Sequence, residues 1–252
     1  MMDDQHFAHL GLTRWPFSVV PDKEQCTYLA DRERLRSDLF DLLSNLSRHD
    51  TSSIHIFWAW FGAGKTHTLY YLANKAALIG SEAIVSSFHT VYCEFPKAAR
   101  GFVDIYRSFV SGIDIDSVVD SFLEVCTCSD AGQLRRELAT ASLDLFNALQ
   151  VMAIGEPQDQ IIALRWLRAE ALPVSEFRKI GISQKIATAE EASRILAALL
   201  QLLTTAARAQ GWASSRVLWL VDEFQRIESL GSRSMNEINA GLHSTFNACQ
   251  KG

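Results

Sequence analysis

Apolar positions along the chain fall into short unbroken runs and into stripes with helical spacing, and the alternation of the two indicates the fold. The run Ile54-His55-Ile56-Phe57-Trp58 follows the polar turn His49-Asp50-Thr51-Ser52-Ser53 and is broken by Gly62 to Gly64, which predicts a buried strand. A second strand is predicted from Thr90 through Phe95, where Pro96 stops it, and a third at Val217-Leu218-Trp219-Leu220-Val221. Stripes surround these runs. Leu35, Leu39, Leu42, Leu43 and Leu46 predict a helix from Arg32 to Arg48, with Asp31 as its N-cap. Leu69, Tyr70, Leu72, Ala73, Ala76 and Ala77 predict another directly after the glycines. From Gly101 to about Ala207 the pattern is mostly helical, with loops near Ser129-Asp130-Ala131-Gly132 and Gly155-Glu156-Pro157, and a last helix is expected from Ser234 to Ala248. Strands alternating with helices predict an α/β fold with a parallel sheet.

Ahead of the first helix, Trp15-Pro16-Phe17-Ser18-Val19-Val20-Pro21-Asp22 reads as an extended arm and Tyr28-Leu29-Ala30 as a short apolar link. The expected organisation is an arm and first core segment over 1–100, a helical insertion over 101–207, and a strand with its following helix over 208–252.

Composition narrows the class. The chain has 252 residues, 48% of them hydrophobic, enough for one substantial core or for one core carrying a smaller helical appendage. A net charge of -5 leaves any nucleic-acid contact to a local basic patch. No secretory signal or bilayer-length apolar run is visible, so the expectation is a soluble cytoplasmic protein with no membrane contact. The five cysteines have no paired CxxC spacing and read as ordinary reduced thiols.

The chemistry concentrates at two places. Ala59-Trp60-Phe61-Gly62-Ala63-Gly64-Lys65-Thr66 matches the phosphate-binding pattern G-x-x-x-x-G-K-[ST] except that alanine stands at the first glycine. A triphosphate requires backbone N–H groups pointing inward, an ammonium group, a helix N-terminus and a hydroxyl near magnesium. Gly62 and Gly64 permit the close backbone approach, while Lys65 and Thr66 supply the side chains. The bland alternative is a glycine-rich turn that happens to precede Lys-Thr. Far downstream, Asp222-Glu223 ends the third strand, where open parallel sheets place ligand chemistry. Asp222 is expected to hold magnesium through water and Glu223 to act as general base toward the water attacking the γ-phosphate. Alone, the pair would be a solvated acidic start to a helix.

Gly62-Ala63-Gly64-Lys65-Thr66 together with Leu220-Val221-Asp222-Glu223 resembles the Walker A and Walker B elements of AAA+ P-loop ATPases. Trp15-Pro16-Phe17, Pro21-Asp22 and Tyr28-Leu29-Ala30-Asp31-Arg32-Glu33-Arg34 resemble the entry segment of the origin-recognition, secretion-ATPase and transposition-ATPase group, where such residues lie against the adenine. Glu94-Phe95-Pro96-Lys97, Gly101-Phe102, Arg165-Trp166-Leu167-Arg168-Ala169-Glu170 and Gly181-Ile182 resemble the helical insertion of ATP-binding proteins of BREX-type phage defence. The resemblance implies a three-layer α/β/α P-loop fold, ATP and Mg2+ as cofactors, and a phosphate site over Ala59, Trp60, Phe61, Gly62, Ala63, Gly64, Lys65, Thr66 and His67. It implies metal contacts from Thr66 and Asp222 and catalytic roles for Lys65 and Glu223. A sensor strand and helical lid are also implied, and neither has a counterpart before Gly252, so the expectation is either a truncated module or one whose remaining parts come from elsewhere.

Function follows as an expectation: an Mg-dependent ATPase that remodels a nucleic-acid-associated or phage-defence complex. The rivals are a nucleotide-gated scaffold or signalling switch with little turnover, and an inactive remnant. Protein partners or a homo-oligomer are expected, with DNA contacted directly or through a partner. Arg165, Arg168 and Arg178 around Trp166 suit a nucleic-acid or partner surface; the plainer alternative buries Trp166 and Leu167 and leaves the arginines solvated. Arg216, Arg226 and Arg233 are candidate trans-acting arginines. His55, His67 and His89 are too dispersed for a metal set. The aromatics Tyr70-Tyr71 and Trp58-Ala59-Trp60-Phe61 are expected mainly to pack, Trp60 and Phe61 excepted because they lie in the loop.

Overall fold

The computed structural model describes residues 26, 29, 32–48, 52–60, 62–74, 88–127, 132, 136, 138–139, 142–209 and 216–249. The arm, Asp31, Phe61, Ala76, Ala77, Cys128 and Ser129-Asp130-Ala131 lie outside these. The described elements run α1 (Glu33–Arg48), α2 (Lys65–Ala73), β1 (Phe88–Glu94), α3 (Phe102–Gly112), α4 (Ile115–Thr127), α5 (Leu143–Ile154), α6 (Pro157–Leu167), α7 (Val174–Lys179), α8 (Ala189–Ala209), β2 (Arg216–Asp222), a 3-10 turn (Phe224–Ser229) and α9 (Ser232–Cys249). Helix dominates, and β1 and β2 form a two-stranded parallel sheet in register from Phe88 opposite Arg216 to Glu94 opposite Asp222. Parallel pairing needs a long crossover, and α3 to α8 supply it.

Local chemistry explains where the helices begin. At α8, Thr188 Oγ1 accepts from the Glu191 N–H at 3.2 Å while Glu191 Oε2 accepts from the Thr188 N–H at 3.0 Å. These reciprocal bonds satisfy two otherwise orphaned donors. Ser142 caps α5 by accepting from Leu145 N–H at 3.1 Å, and Pro157 opens α6 where its missing N–H costs nothing.

Two cores result. In the larger, α8 buries Ala192, Ile195, Leu196, Leu199, Leu202 and Leu203 at helical spacing and packs against α3, α4, α9 and β2. The smaller joins Leu39 and Leu43 of α1, Leu69 and Leu72 of α2, Phe88 of β1 and Leu220 of β2. Arg216 Nη1 donates to the Leu46 carbonyl, tying the start of β2 to the end of α1. Among the described residues no helix is long and apolar enough to cross a membrane.

The expected strand at Ile54 to Trp58 is not formed. Residues 52–60 carry no regular secondary structure, and Ile56, Trp58 and Trp60 are 74%, 87% and 90% exposed. A strand needs a neighbour to accept its backbone hydrogen bonds. Among the described residues β1 and β2 pair only with each other, and no described strand lies beside 54–58. Trp58, expected to pack, is therefore open to solvent. Composition marks a segment as able to be buried; it does not supply the surface that buries it.

Candidate functional site

Gly62 and Gly64 adopt φ of 75° and 85°, the left-handed region that glycine enters without a Cβ penalty. Between them the Ala63 N–H donates to the Trp60 carbonyl at 3.2 Å, closing a turn. Gly64 is the N-cap of α2, and it offers no side-chain cap. The first N–H groups of α2 thus carry the partial positive charge of an uncapped helix start. Lys65 Nζ curls back to donate to the carbonyls of Ala59 at 2.9 Å and Trp60 at 3.1 Å. Ala59 is not among the residues with positive φ, so a methyl group at the motif's first glycine position is accommodated.

Thr66 follows in the first turn of α2, and the His67 ring lies 3.2 Å from Cys26 Sγ. The loop and its helix are present; the preceding strand is not. What replaces it as an anchor is α2 itself, which packs against both β1 and β2 through Leu69 and Leu72.

Asp222 ends β2 and is 7% exposed. Its Oδ1 accepts from the Glu223 N–H at 2.8 Å and its Oδ2 from Tyr92 Oη–H at 3.1 Å. Tyr92 stands on β1 with its ring centroid 4.7 Å from that of Tyr70 on α2. Burial first, then a hydrogen bond to Tyr70 and the negative charge of Asp222, push the Tyr92 phenol far above its ordinary pKa. The shift favours the protonated phenol, which is the form that donates to Asp222. Tyr70 and Tyr92 thereby connect the loop's helix to Asp222. Sequence reasoning missed Tyr92, because only the β1–β2 register brings it to the carboxylate; Tyr70 had been assigned to packing.

Glu223 sits at φ 57°, a left-handed conformation that costs a non-glycine residue about 1 kcal/mol. Its Oε2 accepts from Gln225 Nε2 at 3.1 Å and pairs with Arg226 Nη2 at 3.2 Å. Arg226 Nη1 in turn donates to the Phe95 carbonyl at 2.6 Å and lies 3.6 Å from Glu94 Oε2. Arg226 therefore braces Glu223 against the end of β1.

Magnesium fits the donor chemistry in a limited way. Asp222 and Thr66 offer the oxygen ligands a hard cation prefers, but both Asp222 oxygens already hold hydrogen bonds. No cluster of three or more His, Cys, Asp or Glu that could hold a metal exists among the described residues. Nucleotide phosphates and water would have to complete the coordination.

The remaining candidates separate. Trp166 and Leu167 are buried, and Trp166 Nε1 donates to the Gln184 carbonyl at 2.8 Å, so its ring is unavailable for base stacking. Arg165 pairs with Glu170 at 3.1 Å and Glu176 at 3.9 Å, while Arg168, Arg178 and Arg233 are exposed. No family model matches the chain, and no curated protein or solved structure matches it.

Proposed function

We propose that the chain binds MgATP at residues 59–67 and hydrolyses it as an AAA+-type P-loop ATPase. The observation carrying this is the loop itself: two left-handed glycines, an uncapped helix start and Lys65 folded over the carbonyls of Ala59 and Trp60. A lysine so held can transfer its donors to phosphate oxygens without moving its backbone. Asp222, on the sheet that α2 packs against, would take the magnesium-bound water. The metal would screen phosphate charge, and Glu223 would accept the proton of the attacking water. Remodelling of a nucleic-acid-associated or phage-defence complex is proposed from the sequence resemblance alone.

A second reading is favoured by the surroundings of Glu223. Glu223 is held by Arg226 and Gln225 in a strained conformation, which suits a nucleotide-gated switch that binds ATP with little turnover. Binding and hydrolysis measured for the natural chain, Lys65→Ala, Glu223→Gln and Arg226→Ala separate the two. An ATPase turns over, keeps binding but loses turnover in Glu223→Gln, and loses binding in Lys65→Ala. A switch binds without turnover, and absence of binding in the natural chain refutes both.

A further inference from the structure

Arg32 immediately precedes α1, and its carbonyl accepts from the Arg36 N–H at 2.9 Å, fixing it at the helix N-cap. From there its side chain crosses to the glycine loop. A Cβ placed on Gly64 would lie 3.8 Å from Arg32 Nη2 and 4.0 Å from Arg32 Cζ. The guanidinium thus rests beside the residue that caps α2.

That position is electrostatically unfavourable by itself. The start of a helix carries positive partial charge, which repels a cation and attracts an anion. Lys65 adds a second cation at the same turn, and its ammonium is satisfied only by neutral carbonyls. Among the described residues no hydrogen bond or ion pair engages the Arg32 guanidinium, and no carboxylate neutralises Lys65. Among the described residues, Arg32 and Lys65 thus flank this helix start with no carboxylate paired to either. A planar guanidinium offers paired donors matched to phosphate oxygens.

We infer that Arg32 is a phosphate ligand of this loop, completing with Lys65 a site selective for the polyphosphate part of a nucleotide. This rests on the nucleotide-binding proposal, and it places Arg32 at the phosphates, whereas the sequence resemblance implies that the entry segment lies against the adenine. Arg32 then adds a shared anion to the apolar contact that already joins α1 and α2.

Titration calorimetry with ATP, ADP and inorganic triphosphate tests this on the natural chain, Arg32→Ala and Arg32→Lys. Arg32 is exposed at a helix end, and thermal unfolding checks that each variant folds. The expected result is about a tenfold weaker affinity of Arg32→Ala for both ATP and inorganic triphosphate, a shallower salt dependence, and partial recovery in Arg32→Lys. Equal ATP affinity in Arg32→Ala and the natural chain overturns the assignment while leaving the loop proposal standing. Loss for ATP with triphosphate unaffected also overturns it, since that pattern places Arg32 on the base. If the natural chain binds none of the three, the loop proposal falls and this inference with it.

Discussion

The helical body and the segment leading into the glycine loop both carry large apolar side chains, and these have opposite fates. Leu196, Leu199 and Leu202 of α8 are wholly or almost wholly buried because α3, α4, α9 and β2 surround that helix. Ile54, Ile56, Trp58 and Trp60 are largely exposed because no described strand lies alongside them. Hydrophobicity is a property of the residue, whereas burial is a property of its neighbours. The body therefore holds most of the buried apolar side chains, and the segment leading into the glycine loop holds almost none.

This contrast breaks most readily from the body's side. Leu199→Ala should lower the free energy of unfolding by about 2–5 kcal/mol through lost transfer energy and a cavity, measured by urea denaturation; a change below about 1 kcal/mol would show that the body is not the stabilising unit. Lys65→Ala should do the reverse. Its unfolding midpoint should stay that of the natural chain, while ATP affinity falls about a hundredfold from the loss of a charged donor to phosphate.

Tyr92→Phe probes the link between sheet and site. It removes only the hydroxyl that donates to Asp222, and magnesium-dependent ATP binding should weaken about tenfold while magnesium-free binding stays constant. Because the phenol is held far above its ordinary pKa, no titration step that Tyr92→Phe abolishes should appear in that binding up to about pH 10. Equal loss with and without magnesium would reduce Tyr92 to a packing role. The smallest effect belongs to Trp58→Ser, expected to change stability by no more than about 0.5 kcal/mol because the ring is already in water. A larger loss would mean that this ring is buried in solution.

Much of the helical architecture was legible from spacing. The stripe at Leu35, Leu39, Leu42, Leu43 and Leu46 became α1, the stretch from Gly101 became successive helices, and the runs ending at Phe95 and Val221 became β1 and β2 within a residue or two. These features depend on local periodicity, so the chain itself carries them. The expected strand at Ile54 to Trp58 failed because a strand is defined by its partner. At the candidate site, Gly62, Gly64, Lys65, Asp222 and Glu223 could be named from motif spacing alone. Tyr92 could not, and Arg226 and Arg32 were named for other places, a trans-acting arginine and the adenine side, since all three reach the site from elsewhere in the fold: β1, a 3-10 turn and the start of α1.

What the sequence by itself determined was the helical periodicities, the two strands that pair, and a glycine loop whose left-handed residues are the ones able to take that conformation. Tertiary structure alone decided that Tyr92 fixes Asp222, that Arg226 braces Glu223, and that Arg32 lies against Gly64. It also left Ile54 to Trp58 in solvent. Dihedral preference and apolar spacing act over a few neighbouring residues, whereas hydrogen bonds, ion pairs and burial depend on which distant segments the folded chain brings within reach.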